Sequence, residues 1–204
     1  MSMPIRLRRA LGALAMLTAT VAAVPAISAA PANAATGISV RLWEIQCLEK
    51  SDVGHGDRPY FVVFTGSPTN PDDNRTVLVD PGIITTDRPL PYYPKTLIAS
   101  RVPSGSLTVT VMVEQDDDRD LTLDQIQKIG DAMRGDYQKY FLKPAGERAG
   151  LMRAALRSYV EGYLGWDDND DILGDSYATV YQGKVTSSMS FTGDGGDYRI
   201  YYTS

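Results

Sequence analysis

The chain has 204 residues, 20 basic and 25 acidic, with 43% apolar and 22% charged residues, a balance that excludes wholesale disorder. One cysteine excludes an intramolecular disulfide framework, a four-cysteine zinc site and an iron–sulfur cluster. One histidine excludes any site that needs two imidazoles from this chain.

Arg6, Arg8 and Arg9 precede an apolar run from Ala10 to Ile27, and Ala32-Asn33-Ala34 offers a small-residue cleavage step. That order is the one a secretory signal peptide needs, expected here over residues 1–34 and placing the protein outside the cell. A membrane anchor is the competing reading; the alanine- and threonine-rich composition and Pro25 fit processing better. Arg8-Arg9 leaves the twin-arginine route open, without the aromatic residue usual after that pair. Three arginines leave with the leader, so residues 35–204, expected as a single domain, carry 17 basic against 25 acidic residues, a net of −8. Nucleic acid is not an expected partner of such a surface, because phosphate binding needs clustered Lys and Arg. A multivalent cation suits it.

From Ile38 to Leu42 the hydrophobic period is two, and Trp43 to Leu48 continue it after a bulge or face change, which predicts a long first strand with Cys47 buried inside it as a small hydrophobe. Residues 51–57 form a turn-rich break. Pro59 to Thr65 reads as a second strand, Thr76 to Asp80 as a third, residues 87–94 as irregular, Thr96 to Val102 as a short strand, and Ser106 to Glu114 as the clearest strand of the chain. The period then changes. Thr122 with Gln125 makes a capping box, and Ile126, Ile129, Met133, Tyr137 and Phe141 recur at helical spacing up to Lys143-Pro144. A second helix runs from about Glu147 to Leu164, with Met152, Leu156, Tyr159 and Tyr163 on one face. Strands over Ala178 to Tyr181 and Tyr198 to Tyr202 close the chain. The expected architecture is mainly β with an inserted helical hairpin over about 122–164: an antiparallel β-sandwich, since the helices alone make a thin core.

The chemistry-bearing residues gather in three stretches. Asp52 and Asp57 lie between the first two strands. Glu114, Asp116, Asp117, Asp118 and Asp120 follow the clearest strand. Asp167, Asp168, Asp170, Asp171 and Asp175 follow the helical hairpin as a closing acidic loop. Carboxylates gathered so densely repel one another by about 1 kcal/mol per pair in water and several times that in a less polar medium. They stay solvated, take up protons or hold a cation, and calcium, a hard ion taking about six to eight oxygens, fits better than magnesium. Neither acidic run is an EF-hand: Leu121 and Ile172 stand where the glycine is required, and Gln127 and Ala178 where the bidentate glutamate belongs.

The run Asp52-Val-Gly54-His-Gly-Asp57-Arg-Pro59-Tyr60, opening an apolar strand, resembles the first calcium loop of C-two domains. These are the calcium- and phospholipid-binding sandwiches of synaptotagmins and protein kinase C. The strand Leu107 to Asp118, ending in an acidic D-x-D step, and Asp171-Ile-Leu-Gly174 are similar to the family's later steps. The resemblance implies a C-two-like sandwich with Asp52, Asp57, Asp116, Asp118 and Asp171 as calcium ligands. Glu114 with Asp116 fits the D-x-D step as well as Asp116 with Asp118. The pattern departs in three places: Arg58 separates Asp57 from Pro59, the spacing from Asp52 to Asp57 is one residue short, and about fifty residues holding both helices separate the two acidic steps.

No enzyme is expected. His55 has no identifiable catalytic partner, and acids this crowded give no selective pair for glycoside hydrolysis. Pro91-Tyr-Tyr-Pro94 reads as an aromatic loop packed on the domain, with stacking on a sugar or partner as the alternative. Trp166 either covers the helix ends or meets a membrane or partner. The expectation is a secreted calcium-binding module whose acidic loops hold Ca²⁺ and bridge to an anionic lipid, polysaccharide or protein. The alternative is a secreted interaction or inhibitor protein in which calcium is structural or absent.

Overall fold

The computed structural model describes residues 37–49, 58–82, 84, 91–115, 121–164, 171–193 and 195–204, all within the unit Asn33–Ser204. The expected leader, Asp52, His55, Asp57, Asp116, Asp118 and Trp166 lie outside them.

Among the described residues, eight strands and two helices follow in the order β1 (Ile38–Glu49), β2 (Pro59–Gly66), β3 (Asn74–Val79), β4 (Thr96–Val102), β5 (Ser106–Glu114), α1 (Leu123–Tyr140), α2 (Ala145–Leu164), β6 (Asp171–Val180), β7 (Met189–Gly193) and β8 (Gly196–Thr203). All the pairings are antiparallel, in two four-stranded sheets of order β4-β1-β8-β7 and β3-β2-β5-β6. The chain is thus a two-sheet β-sandwich with a helical insertion, as its patterning predicts.

The two sheets differ in how many faces they bury. β1 and β8 alternate buried with solvent-facing residues, so their sheet has one wet face. β2 and β5 are buried at every position, because both faces of their sheet are covered. Phe61, Val63 and Met112 face the other sheet, together with Leu42, Ile45, Ile200 and Tyr202. Tyr60, Val62, Phe64, Val109 and Val111 face the helices. The described residues therefore form three layers, sheet, sheet and helix pair. The apolar run PYFVVF is the sequence trace of a strand with no wet face, whereas LTVTVMV alternates and buries Thr108 and Thr110 along with its apolar residues.

The capping box forms as expected: Thr122 Oγ1 accepts from Gln125 N at 3.3 Å, and Gln125 Oε1 accepts from Thr122 N at 2.7 Å. Ile126, Ile129, Met133 and Tyr137 are the buried stripe of α1. On α2 the stripe is Ala149, Met152, Leu156, Val160 and Leu164, which corrects the expected one. Tyr163 is exposed, and Tyr159 sits at the rim, where its hydroxyl donates to Asp136 Oδ2 at 2.7 Å. Both tyrosines carry a polar tip that a dry core would leave unsatisfied. Tyr137 is the fixed point under the hairpin. Its hydroxyl donates to the Ser67 carbonyl at 2.6 Å, and its ring packs beside Phe64 and Phe141.

Two further corrections concern the last third of the chain. Residues 171–175 are not loop but the first half of β6, which pairs with β5 along its whole length. β7 has no counterpart in the sequence pattern: Met189 and Phe191 are buried between polar neighbours over only five residues. Gly174, with φ +150°, and Gly193 let β6 and β7 pass backbone against backbone where the two sheets meet. A Cβ on Gly193 would lie 2.9 Å from the Ile172 and Leu173 carbonyl oxygens.

Candidate functional site

The ladders fix where the acidic segments leave the sandwich. Pro59 of β2 is opposite Glu114 of β5, and Glu114 is in turn opposite Asp171 of β6. Three adjacent strands thus begin or end in one row. Gln115 N donates to the Arg58 carbonyl at 3.1 Å, extending the pairing one step past the strand ends.

In the other sheet Glu49, the last residue of β1, is opposite Asp197, which follows the β7–β8 turn. Thr192 Oγ1 donates to Asp197 Oδ1 at 3.4 Å, and the close approach of Gly193 to Ile172 and Leu173 brings this turn beside the start of β6. Glu49, Pro59, Glu114, Asp171 and Asp197 therefore mark one end of the sandwich. Segments 50–57, 116–120 and 165–170 all attach to that end through them.

The surroundings of the acids differ. Glu114 is buried, 3% exposed, in the middle of the row, whereas Asp171 is exposed at its edge. Asp175 points to the helix layer. Its Oδ1 lies 2.9 Å from Arg153 Nε and its Oδ2 3.0 Å from Arg157 Nη1. Its side chain is 15% exposed and clamps β6 to α2, so this member of the acidic run is already neutralised by two guanidinium groups. The sequence reading missed that role; the signal is Arg153 and Arg157, four apart on one helix face.

Of the five expected ligands, only Asp171 is among the described residues. Among the described residues no three His, Cys, Asp or Glu side chains stand close enough together to hold a metal ion. Cys47 is buried, as expected from its place in β1. Tyr92 is half-buried, paired through its backbone with Ile45 and donating from its hydroxyl to the Pro81 carbonyl at 3.0 Å. Tyr93 is exposed with its ring edge-on to Trp43. The Pro91–Pro94 loop is thus packed through one tyrosine and open through the other.

No protein-family model matches the chain, and no curated protein does. Among solved structures, human GIVD cytosolic phospholipase A2 aligns with TM-score 0.33 and 10% identity, over 81% of this chain and 15% of that one. The same enzyme in complex with methyl gamma-linolenyl fluorophosphonate aligns with TM-score 0.33 and 10% identity, over 81% and 16%. The chain thus spans about 15% of the length of the structures it matches.

Proposed function

We propose that the protein is an exported calcium-dependent binding module, not an enzyme, in which Asp52, Asp57, Asp116, Asp118 and Asp171 hold Ca²⁺ at the end of the sandwich marked by Pro59, Glu114 and Asp171. The observation that carries this reading is the shared row of those three residues. Neighbouring strands lie about 4.8 Å apart, so the row spans about 10 Å. Asp57 precedes Pro59 by two residues and Asp116 follows Glu114 by two, each within about 7 Å of its anchor even at full extension. Carboxylates from separate segments are then within reach of one ion. A bound calcium turns this end of the molecule from anionic to cation-bearing, the sign required to meet an anionic lipid, polysaccharide or protein.

Extracellular sites of this kind bind with dissociation constants of about 10⁻⁴ to 10⁻³ M. At one hundred times the dissociation constant an ion that binds only the folded state stabilises it by about 2.7 kcal/mol, or roughly 5–10 °C in Tm for a chain of this size. The test is a thermal melt of residues 35–204 in 10 mM calcium and in chelator. A rise of several degrees that disappears in the Asp116→Asn/Asp118→Asn variant is expected. An unchanged Tm for the wild type would favour a secreted interaction or inhibitor protein that works without the ion.

A further inference from the structure

A groove of about 490 Å³ runs between the outer edge of β3 and one stripe of α1. Its walls are Asn74, Arg75, Thr76 and Val77 on the strand, and Leu123, Ile126, Gln127, Gly130 and Arg134 on the helix. β3 stands at the end of its sheet, paired only with β2 among the described strands. Ser67 N donates to the Asp73 carbonyl at 2.9 Å, which sets the alternation of the ladder. Residues 75, 77 and 79 turn their backbone groups toward β2, so Thr76 and Leu78 turn theirs outward, into the groove. Unpaired strand edges of this kind are templates for a further strand.

The helix wall is shaped to admit one. Gly130 has no side chain, and a Cβ there would already touch Thr76 Cβ at 3.5 Å, so the glycine keeps the groove open opposite the strand edge. Leu123 is 87% exposed at one lip, an apolar side chain with no packing of its own. Two guanidinium groups line a groove in a chain whose net charge is −5. Arg75 is exposed, and Arg134 has only a 3.6 Å contact to Asp131, itself bonded to Gln127 Nε2 at 3.2 Å.

We propose that this groove binds an extended peptide segment of a partner protein as a fifth strand on β3. Apolar side chains of the segment lie against Leu123 and Ile126, and its carboxylates lie against Arg75 and Arg134. The four residues of β3 that line the groove span about 13 Å, the length over which an added strand makes its main-chain bonds. Those bonds supply affinity without sequence preference, and the pockets and arginines supply the selection. A diffuse polyanion would engage the arginines but has no use for the strand edge. The groove is independent of the acidic end, and calcium has no part in it.

The test uses a random twelve-residue library on phage, panned against residues 35–204 with the Arg75→Glu/Arg134→Glu variant as the counter-target. Both substitutions are on exposed side chains, and an unchanged Tm checks the fold. The expected result is enrichment of alternating sequences with apolar residues and Asp or Glu on the wild type alone. The selected peptides should weaken at least tenfold on the charge-reversed chain and move the amide resonances of residues 74–78 and 123–134. A second variant, Gly130→Leu, fills the groove without touching charge and should abolish binding. Absence of enrichment over the counter-target, or shifts at other residues, would overturn the proposal. So would movement of the same amides on adding heparin alone or on raising the protein concentration alone, which would assign the groove to a polyanion or to a second copy of the chain.

Discussion

Replacing Gly66 with alanine tests the joint between sheet and helices. Gly66 is the last residue of β2, and a Cβ there would lie 2.6, 2.8 and 2.9 Å from the Tyr137 ring atoms Cζ, Cε1 and Cε2. The ring has little freedom to yield. Its hydroxyl is bonded to the Ser67 carbonyl at 2.6 Å, its neighbours Phe64 and Phe141 lie at 5.3 and 5.8 Å between centroids, and the Arg148 guanidinium covers it at 5.6 Å. Overpacking of a well-filled core costs about 1–3 kcal/mol. Displacing the ring also breaks the buried hydrogen bond and leaves a carbonyl unsatisfied, another ~1–3 kcal/mol. The expected loss is about 2–6 kcal/mol, or roughly 5–25 °C in Tm. Urea unfolding followed by circular dichroism reads it directly. Adding Tyr137→Leu to Gly66→Ala removes the clash, so the double variant should be clearly more stable than the sum of the two losses implies. A Gly66→Ala variant within 0.5 kcal/mol of wild type, or strict additivity in the pair, would refute the assigned contact.

Asp175→Asn removes the carboxylate shared by Arg153 and Arg157. The arginines are 48% and 41% exposed, so solvent screening limits the loss to about 1–2 kcal/mol in urea unfolding. The same variant should keep the full calcium-induced rise in Tm, which separates this acid from the proposed ligands. Tyr202→Phe leaves Thr110 Oγ1, 2.7 Å from the lost hydroxyl, buried and unpaired, for a loss of ~1–3 kcal/mol; adding Thr110→Val should restore most of it. Tyr159 is held protonated, its pKa raised to about 12, first by its hydrogen bond to Asp136 and then by burial. Between pH 10 and about 12 the folded state therefore binds more protons than the unfolded state, so stability contributed by this group is complete below pH 10 and lost as pH rises through that window. Tyr159→Phe should flatten that part of the stability–pH curve; an unchanged slope would contradict the bond.

Most strands and both helices are legible in the sequence because each carries its own local signal: period two over Ile38–Leu42, an apolar run in β2, alternation in β5, and a capping box before Ile126. β6 was hidden because its first half reads Asp-Ile-Leu-Gly-Asp, and Asp175 is paid for by two arginines that lie on another element. β7 was hidden by its length, five residues held by long-range pairing to β8. The third layer was not legible either. Periodicity shows that a helix has an apolar face but not what the face covers, and only the two-sided burial of Val62 and Val63 reveals that the hairpin closes the second side of a sheet. At the acidic end the composition announces the charge, while the row Pro59, Glu114 and Asp171 depends on register, which no local pattern contains.

The central claim is that acidic segments far apart in the chain meet one ion. A calcium titration of ¹⁵N-labelled residues 35–204, followed by amide chemical shifts, tests it most directly. The amides of Glu49, Glu114, Asp171 and Asp197 should move along one common saturation curve, while those of Gly66, Gly105 and Val180, at the opposite ends of the same strands, stay fixed. Movement confined to a single segment, or no movement at 10 mM calcium, would contradict it.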